Sequence, residues 1–556
     1  MKRKEKKNFI APEQYELQET PAYQFNMNRR TFFQVMGSGL AIAFTAYNSA
    51  AGVVNDTLKI PDDQVGAWIH ISANGKVTIY SGKAEVGQNI RTSLAQIVAE
   101  ELPVAMSDID MILGDTDLTP YDRGTFGSRS IPYMGPQLRK AAATAREVLI
   151  DMAAKEWKTD RADLFIENGI VKNKKTKQSI SIGKLTGGKE ILKGVDENVT
   201  VTPPEKWKIS GRSVPKVNGA SFVTGKHKFV SDMKLPGMLY GKVLRAPAYG
   251  ATLSSVDVSA ARMIKDVVVV EDGNFIGVAA PDQHTASRAL AAIRADWKTV
   301  PQPGRGEIFE HLKKTAEGGR DNDVSGDVGG AFESAPVRIQ QTFQVDYIAH
   351  APLEPRAGVA QWVNGKLTVW VGTQRPFGVQ DELAEIFHVS KENIRVIMPD
   401  TGSGYGGKHT GEAGIEAARL AKEANKPIKV VWTREEEFTW AYFRPAGVIE
   451  VKAGADKNGV VTSWEFHNYN SGGSGIQTPY AVTNKKIRFH PSDSPLRQGS
   501  YRGLAATANV FARECIMNDI AVELKMDPLA FRLRNLKEER MINVLKGAAD
   551  KFGWAG

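Results

Sequence analysis

The sequence predicts an α+β fold centred on a duplicated unit, and three paired segments carry that expectation. Around residue 74 the chain reads NGKVTIYSG and around residue 364 it reads NGKLTVWVG. Each is a turn followed by alternating apolar or β-branched positions, the period of a half-buried strand. A loop bearing glutamine follows, Gln88 in the first copy and Gln374 with Gln380 in the second, and then a helix-forming run, SLAQIVAEEL or DELAEIFHV. Both copies return through a second strand into Asp-Thr, as DIDMILGDT and NIRVIMPDT. Turn, strand, helix, strand and closing dipeptide recurring together mark an internal repeat. Two such copies facing one another leave a cleft between glycine-rich edges, suited to a large anionic ligand.

Taken in order, residues 1–55 hold a basic leader, MKRKEKK, and then NRRTFFQVMGSGLAIAFTAYNSA. Arg29, Arg30, Phe32 and Phe33 precede a weakly apolar run that ends in small residues, which resembles a twin-arginine export signal. The run is too short and interrupted for a spanning helix, and the competing reading is a buried helix beside a basic turn. Residues 62–186 form the first unit, closing with the helical RKAAATAREVLIDMAAKEW and the hairpin-rich DLFIENGIVKNKKTKQSISI. Residues 187–208, with Pro203 and Pro204, read as a linker. Residues 209–300 read as a separate small α/β domain, with strand VVVVEDGNFIGVAA ahead of helix DQHTASRALAAIRADW. The polar, glycine-rich residues 301–330 suit a surface connection. Residues 331–556 hold the second unit, ending in a long helix and another opened by Asp527-Pro528, a cap and first-turn pair.

Composition narrows the function classes. A chain of 556 residues has room for roughly three or four domains. The net charge of +9 does not mark a nucleic-acid binder, because much of the excess sits in the leader and no zinc-finger spacing or basic helix is present. Cys515 is the sole cysteine, which excludes thiolate-bound iron–sulfur clusters, Cys-based zinc and intrachain disulfides within this chain. Its place in the helical FARECIMNDIAVEL suits a small buried hydrophobe. Redox chemistry here needs an organic or cysteine-free cofactor, with onward carriers on another protein.

Four loops are candidates for anion binding. Gly87, Gln88 and Asn89 precede an amphipathic helix, an arrangement that can offer backbone N–H groups and a helix N-terminus to an anion. In TGSGYGGKHTGEAGIEAARL, Gly402, Gly404, Gly406 and Gly407 allow close backbone approach, and Lys408 and His409 follow. Neither the Walker spacing nor the strict dinucleotide fingerprint is present, which favours another phosphate-bearing ligand over a simple nucleotide. Thr125, Gly127 and Ser128, and Arg502 with Gly503, serve equally well as anion contacts or as ordinary turns. His350 and Glu354 lie in HAPLEP, where two prolines stiffen an irregular loop that borders a pocket or simply lies at the surface.

Together EVGQNIRT, VTGKHKFVSDMKLPGMLYGKVLRAP, HAPLEP, GTQRPF, GSGYGGK, VVWTREEEF, SYRGLAATANVFARE and DPLAFRLRNL resemble one family. It is the molybdenum-binding large subunit of the xanthine dehydrogenase/aldehyde oxidase family, of the isoquinoline 1-oxidoreductase beta-subunit type. The resemblance implies duplicated molybdenum-cofactor-binding α+β units with an intervening hammerhead-like α/β domain. It implies a molybdenum–molybdopterin cytosine dinucleotide held between two lobes, the metal bound through the pterin dithiolene and not by side chains. Gly87, Gln88 and Asn89 match the family's Gly-Gln-Gly turn, with Asn89 suited to left-handed geometry in place of the last glycine. Gln374 matches a polar position near the pterin, and Gly404, Tyr405, Gly406 and Gly407 match the molybdenum-side loop. Arg502 matches the arginine of the cofactor-pocket loop, and Arg444 an active-site arginine. His409 stands where xanthine-oxidising members carry glutamate, which points away from purines.

The implied reaction is hydroxylation of a carbon beside nitrogen in an aromatic ring, or oxidation of an aldehyde, with water supplying the oxygen. A small partner carrying two [2Fe–2S] clusters would take the electrons, passing them to a cytochrome or quinone. The export reading adds a periplasmic location, with peripheral association at the inner membrane. Family members continue past the KFGW-like segment into a Gly-Glu motif whose glutamate is the general base, and no residue here takes that role. The expectation is a large chain either cut short or completed by a separate C-terminal chain; the competing reading is a catalytically silent cofactor-binding or assembly protein.

Overall fold

The computed structural model describes residue 34, residues 36–44 and residues 66–554. The first unit is a five-stranded sheet in the spatial order 109–113, 77–81, 66–72, 39–44, 190–194. Its helices are Ile90–Glu101 and Gly135–Trp157, the second alanine-rich and opened by a proline in its first turn. Leu94, Val98, Leu138 and Leu149 from these helices pack on Ile69, Ile71 and Ile79 of the sheet as one core. A three-stranded antiparallel sheet, 164–167, 170–173 and 179–181, sits where the hairpin-rich segment was expected.

The second unit carries two sheets. One has seven strands in the order 268–272, 275–280, 239–243, 428–431, 357–363, 366–371, 394–397. Helices Pro376–Phe387 and Glu412–Ala424 pack on it through Val379, Leu383, Ala417 and Leu420. The other has five strands, 320–325, 484–490, 461–469, 447–455 and 337–345. Helix Ala506–Glu523 lays Ala512, Ile516 and Ile520 against its Trp464 and Phe466. Asp527 caps the next helix by accepting from the Ala530 N–H at 2.8 Å, with Pro528 in the first turn.

The internal repeat is present as a hairpin followed by a βαβ crossover. In the first copy 66–72 pairs antiparallel with 77–81, which pairs parallel with 109–113; in the second 357–363, 366–371 and 394–397 do the same. The copies meet through their closing Asp-Thr dipeptides. Asp115 takes a bidentate contact from Arg395 of the second copy, and Asp400 accepts from Arg91 of the first at 2.5 Å. Backbone bonds run alongside, Thr116 N–H to Val396 O and Met398 N–H to Gly114 O. The exchange is reciprocal, as in an interface about a two-fold axis.

Three segments hold more regular structure than their composition predicts. The small α/β segment keeps a core of its own around Ile276, Val278 and Ala286, and Leu239–Val243 pairs parallel with Ile428–Val431, so its three strands also extend the second unit's sheet. The linker 187–208 contributes Glu190–Gly194 to the first sheet. The polar connection 301–330 holds helix Ile308–Lys314 and strand Arg320–Ser325, which pairs with Asn484–His490. In each case long-range pairing recruits a segment whose local composition reads as loop. The apolar run assigned to the leader supplies strand Gly39–Phe44, whereas Arg29 and Arg30 lie outside the described residues.

Leu94 is fully buried in the first core. Leu94→Ala should cost about 2–5 kcal/mol in denaturant unfolding, whereas Met263→Ser, at a side chain 86% exposed, should stay within about 0.5 kcal/mol.

Candidate cofactor site

The Gly-Gln-Asn turn opens helix Ile90–Glu101, and Asn89 adopts the left-handed conformation at φ 69°. Its backbone donors are already engaged. The buried Glu85 carboxylate accepts from the N–H groups of Gly87 (2.9 Å), Asn89 (3.1 Å) and Arg91 (3.0 Å). An internal carboxylate thus takes the place at the helix N-terminus that the sequence reading left to a ligand. Gln88, although exposed, folds back on its own loop, donating to Ala84 O and accepting from the Val86 N–H. What the turn leaves to solvent is space: a Cβ on Gly87 would meet nothing within 4 Å.

Gln374 bolts the two lobes together. Its Nε2 donates to Thr125 O of the first lobe at 2.8 Å, and its Oε1 accepts from the Gly406 N–H of the second at 3.0 Å. Thr125 N–H in turn donates to Gln374 O, and the Thr125 hydroxyl accepts from the Ala84 N–H at 2.7 Å. The loop 124–128 is braced from behind by Lys83, whose ammonium meets Asp122 at 2.9 Å and Gly124 O at 2.8 Å. Burial pushes the Asp122 carboxyl up against that pull.

The glycines of residues 402–407 serve packing as much as ligand approach. A Cβ on Gly404 would stand 2.8 Å from Gln374 Oε1, and one on Gly407 would stand 2.5 Å from the His350 ring. The left-handed conformations fall instead on Ser403 (φ 78°), Tyr405 (φ 57°) and Gly406 (φ 91°). Such geometry is costly for a bulky residue and is tolerated where surrounding contacts impose it. Glu354 supplies them: its Oε2 accepts from the Gly402 N–H, while Lys408 Nζ donates to its backbone oxygen. Burial lowers Lys408 to about 8.

Beneath the loop lies Arg356, buried, with its guanidinium on Glu437 and Glu412 and donating to Gly407 O. Tyr442 OH donates to Gly406 O at 2.5 Å and accepts from the His409 N–H at 3.1 Å. His350 Nε2 meets Ser500 O at 2.6 Å. Burial lowers His350 to about 4; burial, with Arg375, His350 and Arg356 adding, lowers His409 to about 3. Both imidazoles are therefore neutral at physiological pH. Phe126 of the first lobe lies 5.2 Å from the His409 ring, centroid to centroid.

The predicted residues do not all converge equally. Gln374, Gly404, Gly406, Gly407 and His409 form one bonded cluster, and Tyr405 O accepts from the Arg502 N–H, which joins the exposed Arg502 to it. Arg444 stands over the Tyr501 ring at 5.9 Å and donates to Asp346 O, with burial lowering its pKa. A cavity of 640 Å³ runs from His409, Tyr442 and Gln498–Ser500 out to Tyr249 and Val300–Pro303. Sequence reasoning missed Glu85, Arg356, Tyr442 and the Lys83–Asp122 pair. A signal existed for one neighbour, since Thr433 and Glu436 form a capping box that orients the helix bearing Glu437.

Four exposed or half-exposed turns, 86–89, 126–128, 405–406 and 502–503, are thus tethered to one another. Glu85 and Glu354, the acids beside them, are buried and hydrogen-bonded within the protein. The groups these turns leave outward include the Ser128 and Tyr405 hydroxyls and the Arg502 guanidinium, which fit a phosphate-bearing cofactor better than a cation. Such a repeated lobe pair, its turns bolted at one glutamine, defines a cofactor-cradling protein.

Comparison with known proteins gives the class. A family model described as molybdopterin cofactor-binding domain matches residues 11–261, and a second of the same description matches 314–536. A nicotinate dehydrogenase subunit of Pseudomonas putida is 29% identical over 90% of this chain and 45% of its own length. The beta subunit of isoquinoline 1-oxidoreductase from Brevundimonas diminuta is 24% identical over 95% of this chain and 78% of its own. The crystal structure of quinoline 2-oxidoreductase from Pseudomonas putida 86 shares the fold at a TM-score of 0.54 and 21% identity, covering 59% of this chain and 50% of that one. This chain therefore spans about half the length of the first and third of these relatives. It belongs to the molybdopterin-binding subunits of the xanthine dehydrogenase family.

Gln374→Leu leaves Thr125 O and the Gly406 N–H without their partner, and should lower stability by about 2–4 kcal/mol, with faster amide exchange in both loops. The two histidines set a pH dependence. Unfolding lets them protonate near 6.5, whereas the fold holds them neutral down to about 4 and 3. The unfolded state then binds more protons, so stability falls as pH drops below 6.5. His409→Gln should narrow the difference in melting temperature between pH 7 and pH 5.

Proposed function

We propose that this chain is the cofactor-bearing part of a molybdenum hydroxylase, acting on an N-heteroaromatic ring carbon or an aldehyde with water as the oxygen source. The observation that carries the reading is the continuity between the tethered glycine-rich turns and the 640 Å³ cavity, with His409 belonging to both. The relatives named above as dehydrogenase and oxidoreductase subunits support it.

When bound, the molybdenum–molybdopterin cytosine dinucleotide would supply the oxygen-insertion and two-electron chemistry. The residues that would hold it are Ser128 and the turns at Gly87, Tyr405 and Arg502, set in place by Glu85, Gln374 and Arg356. His409, neutral and buried against Phe126, offers a fixed hydrogen-bonding imidazole to a ring entering from the cavity. Tyr249, Pro301, Pro303 and Leu496 give that ring apolar contact along a passage that Gln302, Asp493 and Arg497 also line. With one cysteine, the electron-carrying clusters are assigned to a small two-[2Fe–2S] partner, and a cytochrome or quinone is the onward acceptor.

The complex isolated from its native host should contain molybdenum and pterin near one per chain, and should reduce an artificial dye with quinoline or benzaldehyde. Arg502→Met should lower molybdenum occupancy several-fold without changing the melting temperature of the cofactor-free chain. A purified complex free of molybdenum and pterin would sink the proposal and leave the silent cofactor-binding relative.

A further inference from the structure

The run that reads as an export signal lies inside the first sheet. Gly39–Phe44 sits between Gly66–Ser72, antiparallel, and Glu190–Gly194, parallel, with Gly39 opposite Glu190 through to Ala43 opposite Gly194. Leu40, Ala41, Ile42 and Ala43 are each 0% exposed, so both faces of the strand are covered. Leu40 and Ile42 join the core that contains Trp68, Ile69 and Ile79. At its ends the Gly39 N–H donates to Lys189 O at 2.8 Å and the Val195 N–H to Ala43 O at 3.1 Å. Just upstream, the Tyr80 hydroxyl meets the Met36 sulfur at 2.8 Å. Gly39 is fitted to this seat: at φ 152°, any Cβ would stand 2.1 Å from Ile71 O.

A segment removed after export has to be dispensable to the protein it leaves behind. This one is not. Taking it away strips a ladder partner from two strands at once and opens the buried Ile69 and Ile71 of one of them to water. Removal would also empty four fully buried side-chain positions. Independently, the family model match begins at residue 11, so the domain shared with relatives takes in this run.

We propose that Met36–Phe44 is retained in the working protein as a structural strand, and that no processing site beyond it is used. The small residues Ser49, Ala50 and Ala51, which suit a signal peptidase, then stay uncut. An address carried by Arg29 and Arg30 would be one that remains attached. This holds whether or not the hydroxylase reading does.

Tryptic mapping of the folded full chain purified from its native host tests it. The peptide Thr31–Lys59 should be recovered uncut and in proportion to internal peptides. A folded protein whose N-terminus maps beyond Phe44 would overturn the proposal. Truncations give a second measure. A chain starting at Met36 should melt close to the full-length protein, while one starting at residue 46 should melt at least about 5 °C lower or fail to accumulate folded. Equal melting of the two truncations would overturn it as well.

Discussion

Everything at the site is hung on the buried guanidinium of Arg356. Its side chain lies between the Trp432 and Tyr442 rings, 5.3 and 5.6 Å from their centroids, and reaches Glu437, Glu412 and the Gly407 carbonyl. A buried charge missing one partner is destabilising by several kcal/mol, so the three elements that supply the partners are held in one arrangement. They are the glycine-rich loop, the first turn of helix Glu412–Ala424 and the helix Arg434–Trp440. Tyr442 then passes the constraint to Gly406 and His409, and Gly406 passes it to Gln374 and the opposite lobe.

Duplication makes the two lobes mutually dependent. Each closing Asp-Thr gives its carboxylate to an arginine of the other copy, so neither lobe completes its own polar contacts alone. Small structural units repeated and crossed in this way put matching turns on one cleft without any dedicated scaffold. The cost is that internal groups must satisfy the turns first. Glu85 and Gln374 do so, and they leave to a ligand mainly the outer rim of each turn.

What the sequence made legible was local. The helix after Gly-Gln-Asn, the left-handed Asn89 and the Asp527-Pro528 cap are each written in fewer than about twelve neighbouring residues, where periodicity and capping rules apply, and the repeat showed as short segments of that kind recurring in the same order. The pairings that local pattern did not reveal share the opposite property. Leu239–Val243 finds its sheet partner at Ile428–Val431, and Glu190–Gly194 finds one at Gly39–Phe44, far along the chain in the first case and across a whole subdomain in the second. The short run GLAIAF illustrates the ambiguity, since its composition serves a secretory segment and a doubly buried strand alike. Glu85 was visible in the motif, but which way its carboxylate pointed depended on geometry that no spacing encodes.

The cavity has two ends with different freedom to vary. Its inner end, at His409 and Tyr442, is locked to the lobes by hydrogen bonds, whereas its outer lip, at Tyr249 and Val300–Pro303, flanks a separate two-stranded ribbon, Thr252–Asp257 with Arg294–Lys298. Substitutions on the ribbon's flanks can reshape the lip without disturbing the hydrogen bonds that fix the inner end. Among related chains, diversification of substrate range is therefore expected to accumulate at the lip, and drift at the inner end to be purged.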